Sequence, residues 1–210
     1  MNLNNYNYTE HWDNVYENTQ QEKLGWYEEN PEPSLGLIKK YAKLNSIIIN
    51  IGSGTSNLLD ELLKANFKSL IATDLSTVAL QKLEARLNSY PNKVKYIVDD
   101  LKNPISLKNI DLVDVWHDRA VLHFLTEVED QNTYFDLLNS KLKRGGFVIL
   151  AAFHLNGAEK CSRLPVIRYN AEILDEKSGE NFKLIESREY NFVNPNGDDR
   201  PYIYTVFQKQ

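Results

Sequence analysis

The sequence contains a single cysteine, Cys161, among its 210 residues. One cysteine cannot form an internal disulfide, and it cannot build a multi-cysteine zinc site. No apolar run approaches the length that crosses a bilayer, and the first twenty residues are polar where a secretory signal would be apolar. We therefore expect a protein of a reducing compartment, the cytoplasm, without a membrane partner.

An excess of positive charge is also missing. The 24 Lys and Arg residues are outnumbered by 29 Asp and Glu residues, which gives a formal net charge of -5. Such a charge provides no long-range attraction to phosphate backbones, so we expect no nucleic-acid partner. The histidines lack metal-ligand spacing, and we predict no metal site; they are His11, His117, His123 and His154.

From residue 46 onward, short apolar runs alternate with amphipathic stretches. The runs predict strands over 46–51, 68–73, 93–98, 111–117 and 146–153. The stretches predict helices over 55–65, 76–89 and 129–143, the second with Ser76 as its N-cap. Two last strands, 182–192 and 201–208, read as an antiparallel hairpin. Together they predict an α/β fold with a mostly parallel sheet and helices on both faces.

Residues 1–45 precede the first predicted strand. Helices are predicted over residues 9–18 and 34–44, with a polar linker that carries Trp26 and Tyr27 between them. We expect this segment to form a cap over the sheet, within the same domain as residues 46–210. The two linker aromatics read as a lid or as ordinary packing residues, whereas Trp12 and Tyr16, four apart on one helix face, favour core contacts.

A glycine turn follows the first predicted strand, in the sequence Ile51-Gly52-Ser53-Gly54, and Asp74 ends the next strand. A strand, a tight turn, a helix and a later acidic residue describe a nucleotide-binding βαβ unit. The dinucleotide fingerprint is incomplete, because Asn57 stands at its third glycine position and Ser56 at the alternative one. A second acidic strand end, Val98-Asp99-Asp100-Leu101, fits the amine of an adenine.

This order of motifs resembles the class I S-adenosylmethionine-dependent methyltransferases over about residues 34–210. The sequences Trp12-Asp13-Asn14-Val15-Tyr16 and Trp116-His117-Asp118-Arg119-Ala120 are similar to a W-D-x-x-Y helix and a W-H-D-R-A turn of a small bacterial branch. The architecture is also similar to elongation-factor lysine and thiopurine-type methyltransferases. The resemblance implies a Rossmann-like, seven-stranded sheet that ends in the antiparallel hairpin.

The resemblance implies S-adenosylmethionine as cofactor and S-adenosylhomocysteine as product. Asp74 would hold the ribose, while Asp100 and the Leu101 amide would hold the adenine. The family usually has an acidic residue where Asn50 stands, which implies a weaker contact to the methionine amino group or one through an amide oxygen. The other predicted cofactor-binding residues are Gly52, Ser53, Gly54, Leu75, His117 and Trp26.

His117, Asp118 and Arg119 are the predicted catalytic residues. Methyl transfer depends on alignment, and a base is needed only when the acceptor arrives protonated. His117 or Asp118 could be that base, although Asp118 could equally cap the short helix that follows. Arg119 could pair with Asp118 or a lid carboxylate, or anchor an acidic substrate. His123 reads as a buried structural residue.

The loop from Gly157 to Pro165 is a candidate wall on the acceptor side, and we expect its Cys161 to be unreactive. The leading hypothesis is methyl transfer to a small molecule, with the methylated atom (N, O or S) left open. A protein lysine methyltransferase is the alternative. A non-catalytic nucleotide-binding module or a dehydrogenase is the second alternative. The expected state is a monomer.

Overall fold

The structure, a computed structural model, describes residues 6–210. Nine strands are labelled β1 to β9 and six α-helices α1 to α6. The strands are Ile47–Ile51, Ser69–Asp74, Val94–Val98, Val113–Arg119, Leu142–Phe153, Lys160–Cys161, Leu164–Pro165, Phe182–Val193 and Asp199–Lys209. The helices are Tyr8–Asn18, Ser34–Tyr41, Leu58–Lys64, Thr77–Arg86, Val128–Lys141 and Ala171–Ser178.

Seven of the strands form one sheet in the order β3-β2-β1-β4-β5-β9-β8. The first five run parallel, and β9 pairs antiparallel with both β5 and β8. The strand order reverses between β1 and β4, and at such a point a crevice opens at the carboxyl ends of the strands. The predicted fold class, a mostly parallel sheet with a terminal antiparallel hairpin, is confirmed.

Helices cover both faces of this sheet because alternate strand residues point to opposite sides. Ile48 of β1 and Val115 of β4 belong to one apolar cluster, which includes side chains of α2, α3 and α4. Ile49 and Trp116, their neighbours in sequence, belong to a second cluster with side chains of α5 and α6. This division decides which β4 side chains reach the crevice.

The predicted elements all form, with shifted ends. The predicted helix over 55–65 begins only at Leu58, and β5 begins at Leu142 rather than at 146. Helix α6 and the short β6–β7 hairpin were missed, since both lie in the stretch between the last parallel strand and the terminal hairpin. Within residues 6–210, no helix is long and apolar enough to span a membrane.

The N-terminal segment packs over the crevice as a cap, although residues 1–5 of the predicted cap lie outside the described part. Asp13 on α1 accepts hydrogen bonds from Ser76 Oγ at 2.6 Å and from Val78 N at 3.2 Å. Lys82 on α4 donates to the Tyr16 carbonyl at 2.5 Å. The Asp13 contacts fall at the amino end of α4, where a carboxylate is favoured by the helix dipole. Helix α1 is thereby fixed against α4.

Candidate active site

The glycine turn lies at the carboxyl end of β1 and requires its glycines. Gly52 and Gly54 have φ of 56° and 49°, in the left-handed region that side chains disfavour. A Cβ on Gly52 would overlap a methyl group of Val121, and one on Gly54 would overlap the Tyr16 hydroxyl. The turn is therefore packed from above by the cap and from the side by the segment after β4.

Asp74 joins this turn to the end of β2. Its Oδ2 accepts the Gly54 N–H at 2.7 Å, and its Oδ1 accepts the Ser76 N–H at 2.8 Å. Burial raises the pKa of Asp74 to about 6, while these backbone N–H groups act in the opposite direction. The carboxylate lines the main cavity, so its remaining lone pairs are available to a polyol such as a ribose.

The two aspartates after β3 have different roles. Asp99 accepts the N–H groups of Ile105 and Leu107, at 3.1 and 2.8 Å, and so shapes the loop that follows. Asp100 accepts only the Lys102 N–H, at 2.9 Å through Oδ1, and no hydrogen bond within the described chain uses its Oδ2. Asp100 is thus the better placed of the two to accept an amine, as the sequence predicted.

The main cavity has a volume of about 930 Å³, its open mouth included, which is in the range of small-molecule and cofactor sites. It runs from the loop after β3, past the glycine turn, to the cap. Its lining comprises Tyr8, Trp12, Tyr16, Trp26, Gly52, Thr73, Asp74, Leu75, Asp99, Asp100, Leu101, Lys102, Arg119, Ala120, Val121, Phe124, Leu125 and Cys161. Of the predicted cofactor-binding residues, Gly54 is absent from this wall and instead supports it from below.

A smaller inner cavity adjoins the first and shares Trp26, Gly52 and Arg119 with it. Asn50, Ser53 and His117, three of the predicted cofactor-binding residues, line this inner space, together with Glu28 of the cap. Glu28 was not predicted. The site therefore has an adenosine-sized main part and a polar inner end.

Hydrogen bonds around Asn50 fix the tautomer of His117. The Ser53 hydroxyl donates to the Asn50 carbonyl at 2.9 Å and accepts from the Asn50 side-chain amide at 3.0 Å. The Asn50 Oδ1 atom is left as an acceptor, so His117 Nδ1 donates to it at 2.6 Å. Nε2 of His117 is then an acceptor, and it is buried without a hydrogen-bond partner in the described chain.

Burial, assisted by the charge of Arg119, lowers the pKa of His117 to about 3. At neutral pH the ring is uncharged, and Nε2 holds a proton too weakly to serve as a general base. Nε2 can still accept a hydrogen bond from a cationic ligand group in the inner cavity. The geometry thus favours the predicted cofactor contact of His117 over its predicted catalytic part.

Arg119 forms a buried ion pair with Glu28, one of the alternatives that the sequence left open. Arg119 Nη2 lies 2.9 Å from Glu28 Oε1, with the two side chains 10% and 8% exposed. The two atoms do not align as a hydrogen bond, and neither has another partner in the described chain. Burial raises the pKa of Glu28 to about 7, against the opposing charge of Arg119. Both groups are therefore poised to bind further polar atoms.

Two further contacts hold Arg119 in place. Its Nη1 donates to the Trp26 carbonyl at 3.1 Å, and its Nε donates to the Tyr204 hydroxyl at 3.2 Å. The guanidinium also lies over the rings of Phe192 and Tyr202, each centroid 4.9 Å away. Arg119 thus joins the cap to the terminal hairpin beneath it.

Asp118 points to the other face of the sheet. It is 1% exposed, accepts the Tyr134 hydroxyl at 2.8 Å and the Val121 N–H at 3.1 Å, and lines neither of the two cavities. Burial raises its pKa to about 6, opposed by these hydrogen bonds. The arrangement is that of a cap for the turn after β4, which was the alternative to a catalytic role.

The cap supplies an aromatic wall to the main cavity. Trp26 stands edge-on to Trp12 and Tyr16, with centroids 5.6 and 6.0 Å apart, and Phe124 contacts Trp12 from below at 5.1 Å. Trp12 and Tyr16 pack together as predicted, but they also line the cavity, which the prediction did not include. Trp26 takes the lid position.

Two sequence predictions concern residues beside this wall. His123 is fully buried between Phe124 and Phe153, and burial lowers its pKa to about 3, so its structural role is confirmed. Cys161 borders the main cavity, and burial raises the pKa of its thiol to about 11. The thiol is protonated at neutral pH, in agreement with an unreactive cysteine.

Asn57, the residue in place of the third glycine, binds the cap. Its amide oxygen accepts from the Gln21 side chain at 2.9 Å, and its amide nitrogen donates to the Glu28 carbonyl at 3.0 Å. Arg86 on α4 also donates to Gln21, at 2.7 Å. The departure from the glycine pattern thus attaches the linker that carries Trp26 and Glu28.

Among residues 6–210, no group of three or more His, Cys, Asp or Glu side chains could hold a metal ion. The orphaned polar atoms lie instead at the inner end, where Arg119 Nη2 is a donor and Glu28 Oε1 and His117 Nε2 are acceptors. An amino-acid zwitterion offers the matching carboxylate and ammonium groups. The two cavities together therefore fit an adenosine joined to an amino acid.

Comparisons with known proteins agree with this geometry. Residues 49–148 match a family described as a methyltransferase domain, and no curated protein sequence matches the chain. The matched part contains the glycine turn, both acidic strand ends and the end of β4. It therefore covers most of the residues that build the adenosine end.

Solved structures share the fold over nearly the whole chain. One, from work on converting a disulfide bond into a thioacetal group during echinomycin biosynthesis, has a TM-score of 0.77 and 16% identity, covering 96% of this chain and 93% of the other. A SAM-dependent methyltransferase from Anabaena variabilis gives 0.76 and 14%, covering 96% and 93%. The 1,6-didemethyltoxoflavin-N1-methyltransferase of Burkholderia thailandensis, solved with 1,6-didemethyltoxoflavin and S-adenosylhomocysteine, gives 0.69 and 13%, covering 85% and 77%.

The fold and the site define the class: a class I, Rossmann-like methyltransferase with a helical cap over the cofactor crevice. The protein is an S-adenosylmethionine-dependent methyltransferase, as the sequence motifs implied. The dehydrogenase alternative and the non-catalytic module are set aside.

Proposed function

We propose that the enzyme methylates a small-molecule acceptor. The observation that carries the proposal is the cap: Trp12, Tyr16 and Trp26 cover the main cavity, so an acceptor meets the cofactor in an enclosed space. A folded protein substrate would have to insert a side chain beneath this cover. Small-molecule acceptors also fit the Burkholderia thailandensis relative in fold, which was solved with its small substrate.

The residues of the chain hold the cofactor in two parts. Asp74 takes the ribose, Asp100 and the Leu101 amide take the adenine, and Leu75 lines the same end. At the inner end Glu28 and His117 accept from the methionine ammonium, while Arg119 binds the carboxylate. Glu28 supplies the negative charge that Asn50 lacks, which supports the fit of this pocket to a zwitterion.

S-adenosylmethionine, when bound, supplies a methyl carbon activated by a sulfonium. The acceptor's nucleophilic atom bonds to that carbon as the carbon–sulfur bond breaks with its electron pair on sulfur, and the acceptor's proton leaves to water. The protein contributes alignment and exclusion of bulk water, which together can supply roughly 7 to 11 kcal/mol. Trp26 and Trp12 offer ring faces that favour the cationic centre by about 0.5 to 2 kcal/mol.

The test incubates the enzyme with methyl-labelled S-adenosylmethionine and an extract of the host cell, then separates protein from small molecules. Label in the small-molecule fraction is expected, and it should disappear with Asp74→Ala, which removes the ribose ligand. Label confined to protein would contradict the proposal and favour the lysine alternative. Size-exclusion chromatography of the same preparation tests the expected monomer.

A further inference from the structure

The cofactor cavity continues outward into a groove, here called the acceptor groove. It lies between α1 with its following linker, the β6–β7 turn and the β8–β9 turn. Trp26 and Cys161 line both the groove and the main cavity, so the two spaces meet at these side chains. An acceptor in the groove would therefore approach the cofactor past Trp26 and Cys161.

The charges that line this groove are mostly positive. Four cationic side chains face one carboxylate; they are Lys23, Lys160, Arg163 and Arg200, against Glu10. Only Arg200 forms an ion pair among the described residues, with Asp198 at 3.0 Å. Residues 1–5 contain no acidic side chain that could pair with the rest. The local excess stands out in a chain whose formal net charge is -5.

Two buried groups register this positive charge. The pKa of His11 is lowered, first by burial and then by the charge of Arg163. Burial raises the pKa of Cys161, but the charges of Arg200 and Arg119 oppose that rise. The positive field therefore extends from the rim of the groove to its junction with the cofactor cavity.

The β6–β7 turn holds two of the cations at the rim. Ser162 and Arg163 both have positive φ, 48° and 67°, so the chain reverses tightly here. The His11 ring contacts this turn through Ser162 Oγ at 3.1 Å, which ties the turn to α1 across the groove. Lys160 and Arg163 are thereby presented from a fixed turn opposite the cap.

We propose that the acceptor groove selects an anionic acceptor, whose carboxylate or phosphate binds Arg163 and Lys160 while its nucleophile points towards Trp26 and Cys161. This inference rests on the proposed small-molecule function. Guanidinium and ammonium groups form charge-assisted hydrogen bonds with such anions, and the groove is open enough for the acceptor to enter from solvent.

The first experiment determines the charge of the labelled product from the host extract. Anion-exchange chromatography at pH 7 should retain the labelled small molecule, and phosphatase treatment then separates a phosphate from a carboxylate. A labelled small molecule that is neutral or cationic would overturn this inference while leaving the proposed function intact. Label found only in protein would overturn the proposed function itself, and this inference with it.

The second experiment reverses charge at the rim and needs no known acceptor. Trp12 and Trp26 are the partly exposed tryptophans beside the groove, whereas Trp116 is fully buried. Arg163→Glu should reduce fluorescence quenching by iodide about twofold and leave quenching by neutral acrylamide unchanged, because iodide responds to local potential. Lys108→Glu, an exposed change elsewhere, is the matched control. Equal iodide quenching in Arg163→Glu and the wild type would contradict the positive groove.

With the purified acceptor, Arg163→Glu and Lys160→Glu should each raise KM roughly tenfold or more with little change in kcat, since they remove charge-assisted contacts. S-adenosylhomocysteine affinity should stay unchanged, which separates the acceptor role from a folding defect. Arg163→Gln provides a milder variant if the reversal disturbs the turn. An unchanged KM in both charge reversals would overturn the assignment.

Discussion

The two ends of the cofactor site are built in contrasting ways. The adenosine end uses residues that directly follow strands, with Asp74 held by the backbone N–H groups of Gly54 and Ser76. The inner end is assembled from Asn50, His117, Glu28 and Arg119, and three of their buried polar atoms lack hydrogen-bond partners in the described chain. The first end is already satisfied by its own backbone, whereas the second is completed only by a charged ligand. This difference predicts that mutations at the two ends affect different parts of the cofactor.

The largest expected effect comes from breaking the adenosine end with Gly52→Ala. The new Cβ would overlap Val121 and force a side chain into positive φ. S-adenosylhomocysteine affinity should fall roughly 100-fold by calorimetry, since overpacking and backbone strain each cost about 1–3 kcal/mol. Gly145→Ala is the control, because Gly145 also has positive φ, 78°, but open space around it. Unchanged affinity in Gly52→Ala would contradict the assigned position of the turn.

The inner end is tested by Glu28→Gln with two ligands. S-adenosylhomocysteine should bind roughly 10- to 100-fold more weakly, because a charge-assisted contact is worth about 1.5–3 kcal/mol. 5′-Methylthioadenosine, which lacks the amino acid, should bind within about twofold of the wild type if each end acts separately. Glu61→Gln, which removes a carboxylate paired with Lys64 on α3, is the control. Equal losses for both ligands would mean that Glu28 acts through the fold.

The pH dependence of binding should follow the ionisation of Glu28. Burial raises its pKa from 4.5 to about 7, so the carboxylate that attracts an ammonium forms as pH rises through that value. Affinity for S-adenosylhomocysteine should increase by up to roughly tenfold between about pH 6 and pH 8, and Glu28→Gln should remove that increase. A pH profile that is the same in both proteins would be the contrary result.

Stability without ligand should change in the opposite direction. A carboxyl whose pKa is higher in the folded state stabilises the fold fully below its unfolded pKa, and this contribution is lost as pH rises from 4.5 to about 7. Asp74 and Asp118, with pKa values of about 6, act in the same sense. The difference in urea unfolding between wild type and Glu28→Gln therefore isolates Glu28.

The smallest effect is expected where the cap meets the glycine turn. Asn57→Gly completes the glycine pattern but removes the hydrogen bonds to Gln21 and to the Glu28 carbonyl. We expect a loss of about 1 kcal/mol in stability and a few-fold weaker S-adenosylhomocysteine binding, read from thermal unfolding with and without the ligand. Asn66→Gly, at a positive-φ position after α3, is the control. Tighter binding in Asn57→Gly would show that the missing glycine, and not the cap contact, limits affinity.

The adenosine end could be predicted from sequence because its residues are linked by short segments. Parallel strands bring their carboxyl ends to one edge, so Asp74 and Asp100 had to lie near the glycine turn once the strands were recognised. The choice of Asp100 over Asp99 also agrees with the hydrogen bonds, since Asp99 is used by its own loop.

The inner end could not be predicted in the same way. Glu28 stands in a polar linker with no motif around it, and only folding brings it to Arg119 across the crevice. Asp118 shows a related limit. Side chains alternate along β4, but the sequence does not say which face is turned to the crevice, and that face proved to be that of His117 and not of Asp118.

The sequence by itself determined the strand pattern, the glycine turn and the two acidic strand ends, because these follow from local periodicity and from backbone conformations that only glycine adopts readily. The tertiary structure alone decided that Asn57 holds the cap, that Glu28 and Arg119 form the polar inner end, and that cations gather in the acceptor groove. These depend on contacts between distant segments, whose geometry is set by packing of the cap, the sheet and the terminal hairpin.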